Sequence, residues 1–369
     1  MMESKRTSLN LAHGSLLYPA YLPDATYGVV RGVDAQDLLA CEVDGLVMNT
    51  FHLMQRPGSG AVQALGGLHR MSGWPRPIVT DSGGFQAYSL IRQNPKAGSL
   101  QERGIYFYPE GSTRKIQLSP EKSIQLQMSF GADVVICLDD CTHVADSRAE
   151  QEKSVQRTIA WAQRCKKEFN RLLEQKRLDE KTRPRIFAVV QGGGYPELRR
   201  ICAEALLEIG FDGYGFGGWP LDEKSNLLTD ILACTRDLIP PAYPMHALGV
   251  GHPENVAICH RLGYDIFDSA MPTRDARHAR LYRFTQEPKA PFSDNSREWM
   301  EYVYMQDEHL IRNSRPISPF CDCPACRHYS LGYLHHLFKT GDTLYQRLAT
   351  LHNLRFMMLL CRALRNPVS

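Results

Sequence analysis

The sequence predicts an α/β protein in which a (β/α)8 barrel of the TIM type carries a smaller C-terminal subdomain. Short apolar, β-prone runs alternate with amphipathic stretches through the middle of the chain, and this alternation is typical of a parallel sheet. Each run stops at a polar residue or a glycine, as expected where strand ends form a site. We assign residues 1–286 to the barrel and residues 287–369 to the subdomain.

The strand ends favour a barrel over an open, doubly wound sheet. An open sheet spreads its strand ends in a row and binds ligands near a switch point, whereas a barrel brings them to one mouth. No GxxxxGK[ST] motif occurs to support nucleotide binding. We expect six strand ends to face one site: Asp81, Asp139, Gln191, Gly217, Gly249 and Asp268.

The stretches between these runs carry helix start and stop signals. Ser119 precedes Pro120 as a candidate cap, and Gly131 follows as a stop. Two later amphipathic stretches end at Gly210 and Gly263. These signals predict helices between the strands.

Composition limits the possible classes. With 369 residues and a formal net charge of +3, affinity for nucleic acid must come from local patches rather than a global field. The 11 cysteines are an odd number in a long chain that opens with the polar "MMESKRTSLN". We therefore expect a reducing cytoplasmic location. No run approaches the ~20 apolar residues of a membrane span.

A cysteine cluster near the C-terminus predicts a metal site. Cys321, Cys323 and Cys326 form a C-x-C-x2-C pattern, which brings three thiolates together and calls for a fourth ligand around a tetrahedral zinc ion. His352 is the most attractive candidate, since it opens a helix-like segment that could fold back. The other candidates are His328, His335 and His336. A closed site of this kind is structural.

Two of the strand-end carboxylates suit covalent glycosyl transfer. One of Asp81 and Asp268 would attack an anomeric carbon while the other moves a proton. The alternative is that each aspartate caps the following helix. Three aspartates and a glutamine on one predicted rim favour a site.

The residues around these carboxylates predict a pocket for a purine-like base. Phe85, in "DSGGFQ", offers a ring for stacking. Asp139 accepts hydrogen bonds, and Gln191 both donates and accepts, so the two side chains suit the edge of a guanine. Backbone N–H groups at Gly217 and Gly218 suit a carbonyl oxygen.

These motifs together resemble the queuine tRNA-ribosyltransferase family, the tRNA-guanine transglycosylases, in its bacterial form. In chain order they are "NTFHLMQRPG", "TDSGGFQ", "VVQGG", "GFDGYGFGGWP", "LGVG", "FDSAMPTR" and the CxCxxC…H ending. The correspondence runs from Asn49 to His352. It implies exchange of guanine at the wobble position of tRNAs with GUN anticodons, those for Asp, Asn, His and Tyr. The incoming base is 7-aminomethyl-7-deazaguanine in bacterial members and queuine in eukaryotic ones.

The resemblance also implies roles for individual residues. Asp268 looks like the nucleophile that forms a covalent ribosyl intermediate, and Asp81 like the general acid/base. The remaining roles follow by motif. The residues that would contact the base are Phe85, Asp139, Gln191, Gly218, Trp219 and Leu248. Arg274 and Arg277 would contact the anticodon loop, and one structural Zn²⁺ would be bound by Cys321, Cys323, Cys326 and His352.

This chain departs from the family pattern near the tRNA and the base. Ala276, His278 and Ala279 stand where glycines are usual, and Trp219 replaces the common leucine beside the 7-substituent of the base. The family also contains a non-catalytic partner subunit, but that subunit lacks the catalytic aspartates. A related enzyme that acts on DNA would be expected to have other residues in place of Arg274 and Arg277. The resemblance further implies a homodimer.

Overall fold

The computed structural model describes residues 7–109, 115–143, 145–293 and 295–366. Its strands are β1 Ser8–Leu11, β2 Gly14–Leu17, β3 Ala20–Pro23, β4 Leu46–Met48, β5 Ile78–Thr80, β6 Gly98–Gln101, β7 Gly104–Phe107, β8 Ile116–Leu118, β9 Val134–Ile136, β10 Arg185–Val190, β11 Gly213–Phe216, β12 Met245–Ala247, β13 Ile266–Ser269, β14 Arg280–Phe284 and β15 Met300–Tyr304.

The α-helices are α1 Ala35–Ala40, α2 Thr50–Leu53, α3 Ser59–Ala64, α4 Gly67–Ser72, α5 Gly84–Gln93, α6 Pro120–Phe130, α7 Arg148–Lys176, α8 Pro196–Ile209, α9 Thr229–Asp237, α10 Pro253–Arg261, α11 Met271–Arg277, α12 Pro324–His328, α13 Leu331–Thr340 and α14 Thr343–Arg365. A π-helical turn, Met54–Gly58, joins α2 to α3. Short 3₁₀ turns occupy Pro95–Ala97, Ser296–Glu298 and Glu308–Leu310.

Eight parallel strands form the predicted barrel. Their order is β3-β13-β12-β11-β10-β9-β5-β4. A parallel bridge between Asp24 and Val47 and a 2.7 Å hydrogen bond from Ala25 N to Val47 O join the two outer strands, β3 and β4. The (β/α)8 prediction is therefore confirmed. Sequence analysis had identified six of the strand ends and had missed β3 and β4.

The barrel interior is a packed apolar core. Alternate strand residues such as Val79, Val134 and Phe187 point into it. The β1–β2 hairpin contributes Leu9 and Leu16 to the same cluster, so it covers the end of the barrel at which the strands begin. The opposite end, where the strands finish, is left for the site.

The helices begin and end largely where the sequence predicts. Ser119 caps α6 by accepting a hydrogen bond from Lys122 N, and Gly131 ends that helix in the left-handed region. Gly210 ends α8. Helix α10 ends at Arg261, and Gly263 follows it with a φ of 96°.

An antiparallel sheet of β6, β7 and β8 is inserted between α5 and α6. Sequence analysis did not anticipate it. Within the described part of the chain, no helix is both long and apolar enough to cross a membrane.

The C-terminal region is joined closely to the barrel. Strand β14 pairs antiparallel with β15, and α14 packs against α11, β14 and β3. The pair β14–β15 spans the boundary that we placed after residue 286, and that boundary stays a prediction. His352 lies in the middle of α14, which begins at Thr343; the expectation that it opens the C-terminal helix was wrong.

Candidate active site and metal centre

The predicted strand-end residues lie at one end of the barrel. Each is within three residues of the end of its strand: Asp81 after β5, Asp139 after β9, Gln191 after β10, Gly217 after β11, Gly249 after β12, and Asp268 inside β13. The carboxyl ends of parallel strands meet at one mouth. The structure thus brings together the residues that the sequence assigned to one site.

Asp81 is held in a fixed position by the start of α2. Its Oδ1 accepts hydrogen bonds from Thr50 N (2.8 Å) and Gly83 N (3.1 Å), and its Oδ2 accepts one from Asn49 Nδ2 (2.5 Å). The Thr50 hydroxyl also donates to the Asp81 carbonyl. These contacts explain why the "NTFHL" segment accompanies the "TDSGG" strand end.

The pKa of Asp81 is raised to about 7. Burial is the largest cause, and the negative charges of Asp24 and Asp268 raise it further, while hydrogen bonds from Thr50 and Gly83 oppose the shift. A carboxyl group with this pKa holds or releases a proton near neutral pH, as an acid/base catalyst must. The electrostatic interaction also indicates that Asp81 and Asp268 belong to one site.

Asp268 is oriented by β12 and the loop that follows. His246 Nε2 donates to Asp268 Oδ1 at 2.8 Å, and Gly249 N donates to the same oxygen at 3.0 Å. Both contacts use Oδ1, which leaves Oδ2 as the oxygen available to a ligand.

His246 is a functional candidate that sequence analysis missed. Its side chain is buried, with a relative exposure of 1%, and its Nδ1 has no hydrogen-bond partner among the described residues. Because a carboxylate only accepts, the proton of a neutral His246 resides on Nε2. In the sequence, His246 is simply an alternate residue in the apolar run "MHALGVG", where a core position is the default interpretation.

Asp139 and Gln191 form a pair on the neighbouring strands β9 and β10. Gln191 Nε2 donates to Asp139 Oδ2 at 2.7 Å, and Gln191 Oε1 has no partner in the described part of the chain. Burial raises the pKa of Asp139 to about 6 against the opposing hydrogen bond from Gln191. The pair presents an amide oxygen and a carboxyl group to a polar ligand edge.

The end of β11 leaves room for Asp139 and Gln191 only because it is followed by two glycines, Gly217 and Gly218, which have no side chains. A Cβ at Gly217 would lie 2.6 Å from Gln191 Nε2. Arg199, which is buried, donates to the carbonyl oxygens of Val190, Gly193 and Gly217 and so ties the two strand ends together. Gly218 follows in the left-handed region with a φ of 87°.

Two exposed aromatic rings follow the ends of β5 and β11. Phe85 and Trp219 are 41% and 42% exposed, and their ring centroids are 5.6 Å apart. His143 lies 5.8 Å from Trp219. Leu248 is partly buried against the interior core. Exposed rings next to buried polar groups are suited to stacking on a planar base.

The arginines after Asp268 fall into two groups. Arg277 is half-buried, and burial followed by repulsion from Arg31 lowers its pKa, while the charge of Asp24 opposes the shift. Arg274 is exposed nearby. Arg280 pairs with Asp275 at 2.7 Å.

The fourth arginine of this series, Arg283, pairs with Glu301 at 2.9 Å. Arg280 and Arg283 are thus held by carboxylates, whereas Arg274 and Arg277 form no ion pair among the described residues.

The predicted metal ligands lie together. One ligand atom from each of Cys321, Cys323, Cys326 and His352 falls within 4.8 Å of the others. His352 Nδ1 is 3.6 Å from Cys323 Sγ and 3.3 Å from Cys326 Sγ. Three thiols and an imidazole are the donor set of a structural zinc site.

The geometry favours His352 as the fourth member of this cluster. His352 Nε2 lies 2.6 Å from the carbonyl oxygen of Tyr282, which fixes the proton on Nε2 and frees Nδ1 for a metal. His335 is directed instead to the carbonyl oxygen of Met305 (2.7 Å), and His328 and His336 are exposed. Arg355, also in α14, contacts Asp322 between two of the cysteines at 2.6 Å.

Comparison with known proteins places these features in one family. The family model described as queuine tRNA-ribosyltransferase matches residues 2–369. Three relatives carry that same description. The protein of Psychrobacter sp. (strain PRwf-1) is 36% identical over 365 residues, which cover 99% of this chain and 90% of the relative. The proteins of Actinobacillus pleuropneumoniae serotype 3 and Shewanella sp. (strain ANA-3) are each 37% identical over 99% of this chain. The match covers 92% of the Actinobacillus protein and 90% of the Shewanella protein.

Proposed function

Because the chain belongs to the queuine tRNA-ribosyltransferase family, we propose that it exchanges guanine at the wobble position of GUN-anticodon tRNAs for a 7-deazaguanine base. Those tRNAs are the ones for Asp, Asn, His and Tyr. The observation that carries the proposal is the pair of carboxylates Asp81 and Asp268, which interact electrostatically at the barrel mouth. The enzyme is accordingly a pentosyltransferase.

In the first half of the reaction Asp268 is the nucleophile. Its Oδ2 attacks C1′ of the ribose, and the C1′–N9 bond breaks with its electron pair going to guanine. Asp81, protonated by virtue of its raised pKa, gives its proton to the departing base. His246 and Gly249 hold the attacking carboxylate through Oδ1.

The second half reverses these steps with a new base. The incoming base loses its N9 proton to Asp81 and attacks C1′, and the bond to Asp268 breaks. Two inversions retain the configuration of the ribose. Since one glycosidic bond replaces another, no ATP is consumed.

The base is bound by the pocket next to these carboxylates. Asp139 and Gln191 read its hydrogen-bonding edge, Gly218 N–H meets its carbonyl oxygen, and Phe85 stacks on its face. Leu248 closes the apolar side. The free Oε1 of Gln191 supports this assignment, because it is a buried acceptor without a donor among the described residues.

Trp219 bears on the choice of incoming base. Its ring is exposed between Phe85 and His143, next to the pocket. We propose that this ring lies beside the 7-substituent, so that it discriminates between the aminomethyl group of 7-aminomethyl-7-deazaguanine and the cyclic group of queuine.

Arg274 and Arg277 are proposed to bind the anticodon loop. They lie on α11, directly after the strand that carries Asp268, and the charge of Arg31 adds to theirs. Because the chain as a whole is nearly neutral, its affinity for tRNA must come from a local cluster of positive charge such as this one. Nucleophile and phosphate contacts would then be adjacent.

One Zn²⁺ is proposed to bind Cys321, Cys323, Cys326 and His352. The donor set and the Nε2–H contact to Tyr282 fit the ion, which when bound would fasten α14 to the cysteine turn. We further propose a homodimer formed through this subdomain, and a cytoplasmic location.

A guanine-exchange assay tests the proposal. The protein is incubated with radiolabelled guanine and unmodified tRNA with a GUN anticodon, then chased with 7-aminomethyl-7-deazaguanine or queuine in parallel. Label should enter the tRNA with the wild type and with Asp230→Asn, an exposed control, but not with Asp268→Asn. The base that displaces label faster identifies the natural substrate.

Two alternatives predict other outcomes. A non-catalytic tRNA-binding paralogue would bind tRNA without incorporating label, and a DNA-directed enzyme would label a DNA duplex instead. The presence of both Asp81 and Asp268 argues against the first, and Arg274 and Arg277 argue against the second.

A further inference from the structure

A second cluster of metal-binding side chains lies at the end of the barrel opposite Asp81 and Asp268. His13 is in the turn of the β1–β2 hairpin, His69 is in α4, and Asp133 directly precedes β9. Asp133 Oδ2 also accepts a hydrogen bond from Ile78 N, at the first residue of β5. The cluster therefore marks the end at which the barrel strands begin.

The three side chains have the spacing of ligands around one ion. His13 Nδ1 is 2.8 Å from Asp133 Oδ1, and His69 Nε2 is 3.1 Å from Asp133 Oδ2. The two imidazole rings stack with their centroids 3.6 Å apart. In a tetrahedral site, ligand atoms that lie ~2.0–2.1 Å from zinc are about 3.3 Å from one another. One ligand atom from each of the three side chains falls within 4.8 Å of the others, so small side-chain rotations bring them around one ion.

The protonation state of His69 is the stronger argument. Its Nδ1 lies 2.9 Å from the carbonyl oxygen of Trp74, so Nδ1 carries the proton. A neutral His69 then directs the lone pair of Nε2 at the Asp133 carboxylate, and both groups are acceptors. A cation between them removes the conflict. A metal-bound histidine is commonly oriented in this way, with its other nitrogen donating to a carbonyl.

We propose that His13, His69 and Asp133 bind one divalent first-row ion such as Zn²⁺, which fastens the N-terminal hairpin to the base of the barrel. Two imidazoles and a carboxylate suit ions of this class. Asp133 is 1% exposed and His13 43%, so one side of the site is anchored while the other is open to water. A cavity of ≈ 220 Å³ beside His13 and Asp133 gives the ion a path from solvent.

The competing account puts a proton where we place the ion. A doubly protonated His69 would donate to both Trp74 O and Asp133, and a neutral His13 would donate through Nδ1. With either an ion or a proton in that place, the hairpin is held against the barrel. The two accounts differ in whether its stability depends on Zn²⁺ or on pH alone.

Metal content distinguishes the two. Full-length protein is dialysed to equilibrium against micromolar Zn²⁺, and zinc per chain is measured by mass spectrometry. We expect two zinc ions in the wild type, one in His13→Gln and one in His69→Gln. The control His309→Gln removes an exposed imidazole elsewhere and should retain two. His13 is half-exposed, so its variant should fold even if the His69 variant does not.

Thermal unfolding provides a second readout. Further Zn²⁺ is added to protein whose Cys3His cluster already holds zinc. The unfolding midpoint should then rise more in the wild type than in His13→Gln. One zinc per wild-type chain, or a second zinc that survives both substitutions, would overturn the proposal. Neither readout uses the exchange reaction, so the result is independent of the proposed function.

Discussion

At the scale of single residues, the two aspartates have different surroundings, which suit the different tasks proposed for them. Asp81 is buried next to other negative charges, which raises its pKa to about 7, whereas Asp268 meets a histidine N–H and a backbone N–H through Oδ1. The sequence predicted both carboxylates from their places at strand ends. It did not predict His246, because its contact with Asp268 depends on how β12 and β13 align.

Substitution of His246 should slow the chemical step. His246→Leu removes a hydrogen bond to a charged carboxylate, worth ~1.5–3 kcal/mol, so we expect kcat to fall about 10- to 100-fold. His246→Gln can still donate an N–H and should recover part of that loss. KM for tRNA should be unchanged in both. Equal kcat values for the two variants would show that the N–H has no positioning role.

The exchange rate should depend on pH through Asp81. The raised pKa predicts an apparent pKa of about 7 in the rate profile, since the carboxyl group must first give and then take a proton. Asp24→Asn removes a nearby negative charge and should move this pKa to lower pH. Asp230→Asn is exposed on α9 and should leave the profile unchanged. Identical profiles for all three proteins would contradict the assignment of Asp81.

Stability should follow the same pKa with a definite sign. The folded protein keeps the Asp81 proton up to about pH 7, whereas the unfolded chain loses it near its ordinary value of 3.8. The unfolded state therefore binds fewer protons between these values, and the contribution of Asp81 to stability falls as pH rises through that window. Asp81→Asn should flatten this part of the curve of unfolding free energy against pH. An unchanged slope would contradict it.

At the scale of elements, short strand ends shape the base pocket. The β11 end accommodates Gln191 only because Gly217 has no side chain. The sequence predicted this glycine as the end of a strand. Its close approach to Gln191 on another strand depends on tertiary structure and could not be read from the sequence. Strands β3 and β4 escaped sequence analysis because runs of three or four residues carry little periodicity.

Gly217→Ala should damage base binding without unfolding the barrel. The new Cβ would lie 2.6 Å from Gln191 Nε2 and displace the side chain that pairs with Asp139. We expect KM for guanine to rise at least about 10-fold, equivalent to ~1.4 kcal/mol. The matched control is Gly194→Ala, in the turn after β10, where a Cβ meets no atom within 4 Å. Equal KM values for the two variants would refute the role of this glycine.

The C-terminal helix should depend on its metal site. His352→Ala removes one ligand and leaves three cysteines clustered without a closed site, so we expect a loss of several kcal/mol and a lower unfolding midpoint. Cys361→Ala, which alters a thiol in the same helix outside the cluster, is the control. A chelator should lower the midpoint of the control further than that of His352→Ala, which retains only the proposed ion at His13, His69 and Asp133. A chelator without effect on either would refute a structural ion.

At the scale of the whole molecule, α14 links the Cys3His cluster to the barrel. It carries His352 and Arg355 on the side of the cysteine turn and packs against β3 and α11 of the barrel. The cysteine spacing is visible in the sequence, but the place of His352 in the middle of a helix is not, because only tertiary packing determines which turn of α14 faces the cluster. Six barrel strands and their end residues were predictable from the sequence. Strands β3 and β4, the inserted β6–β8 sheet and the packing of His352 against the cysteines were not.

The covalent intermediate on Asp268 is the central claim, and trapping it is the most direct test. End-labelled tRNA with a GUN anticodon is mixed with the protein, denatured in detergent and separated by size. The wild type and Asp230→Asn should each form a denaturation-resistant tRNA–protein adduct that disappears on addition of excess guanine, and Asp268→Asn should form none. An adduct that persists in Asp268→Asn would contradict the assignment of the nucleophile.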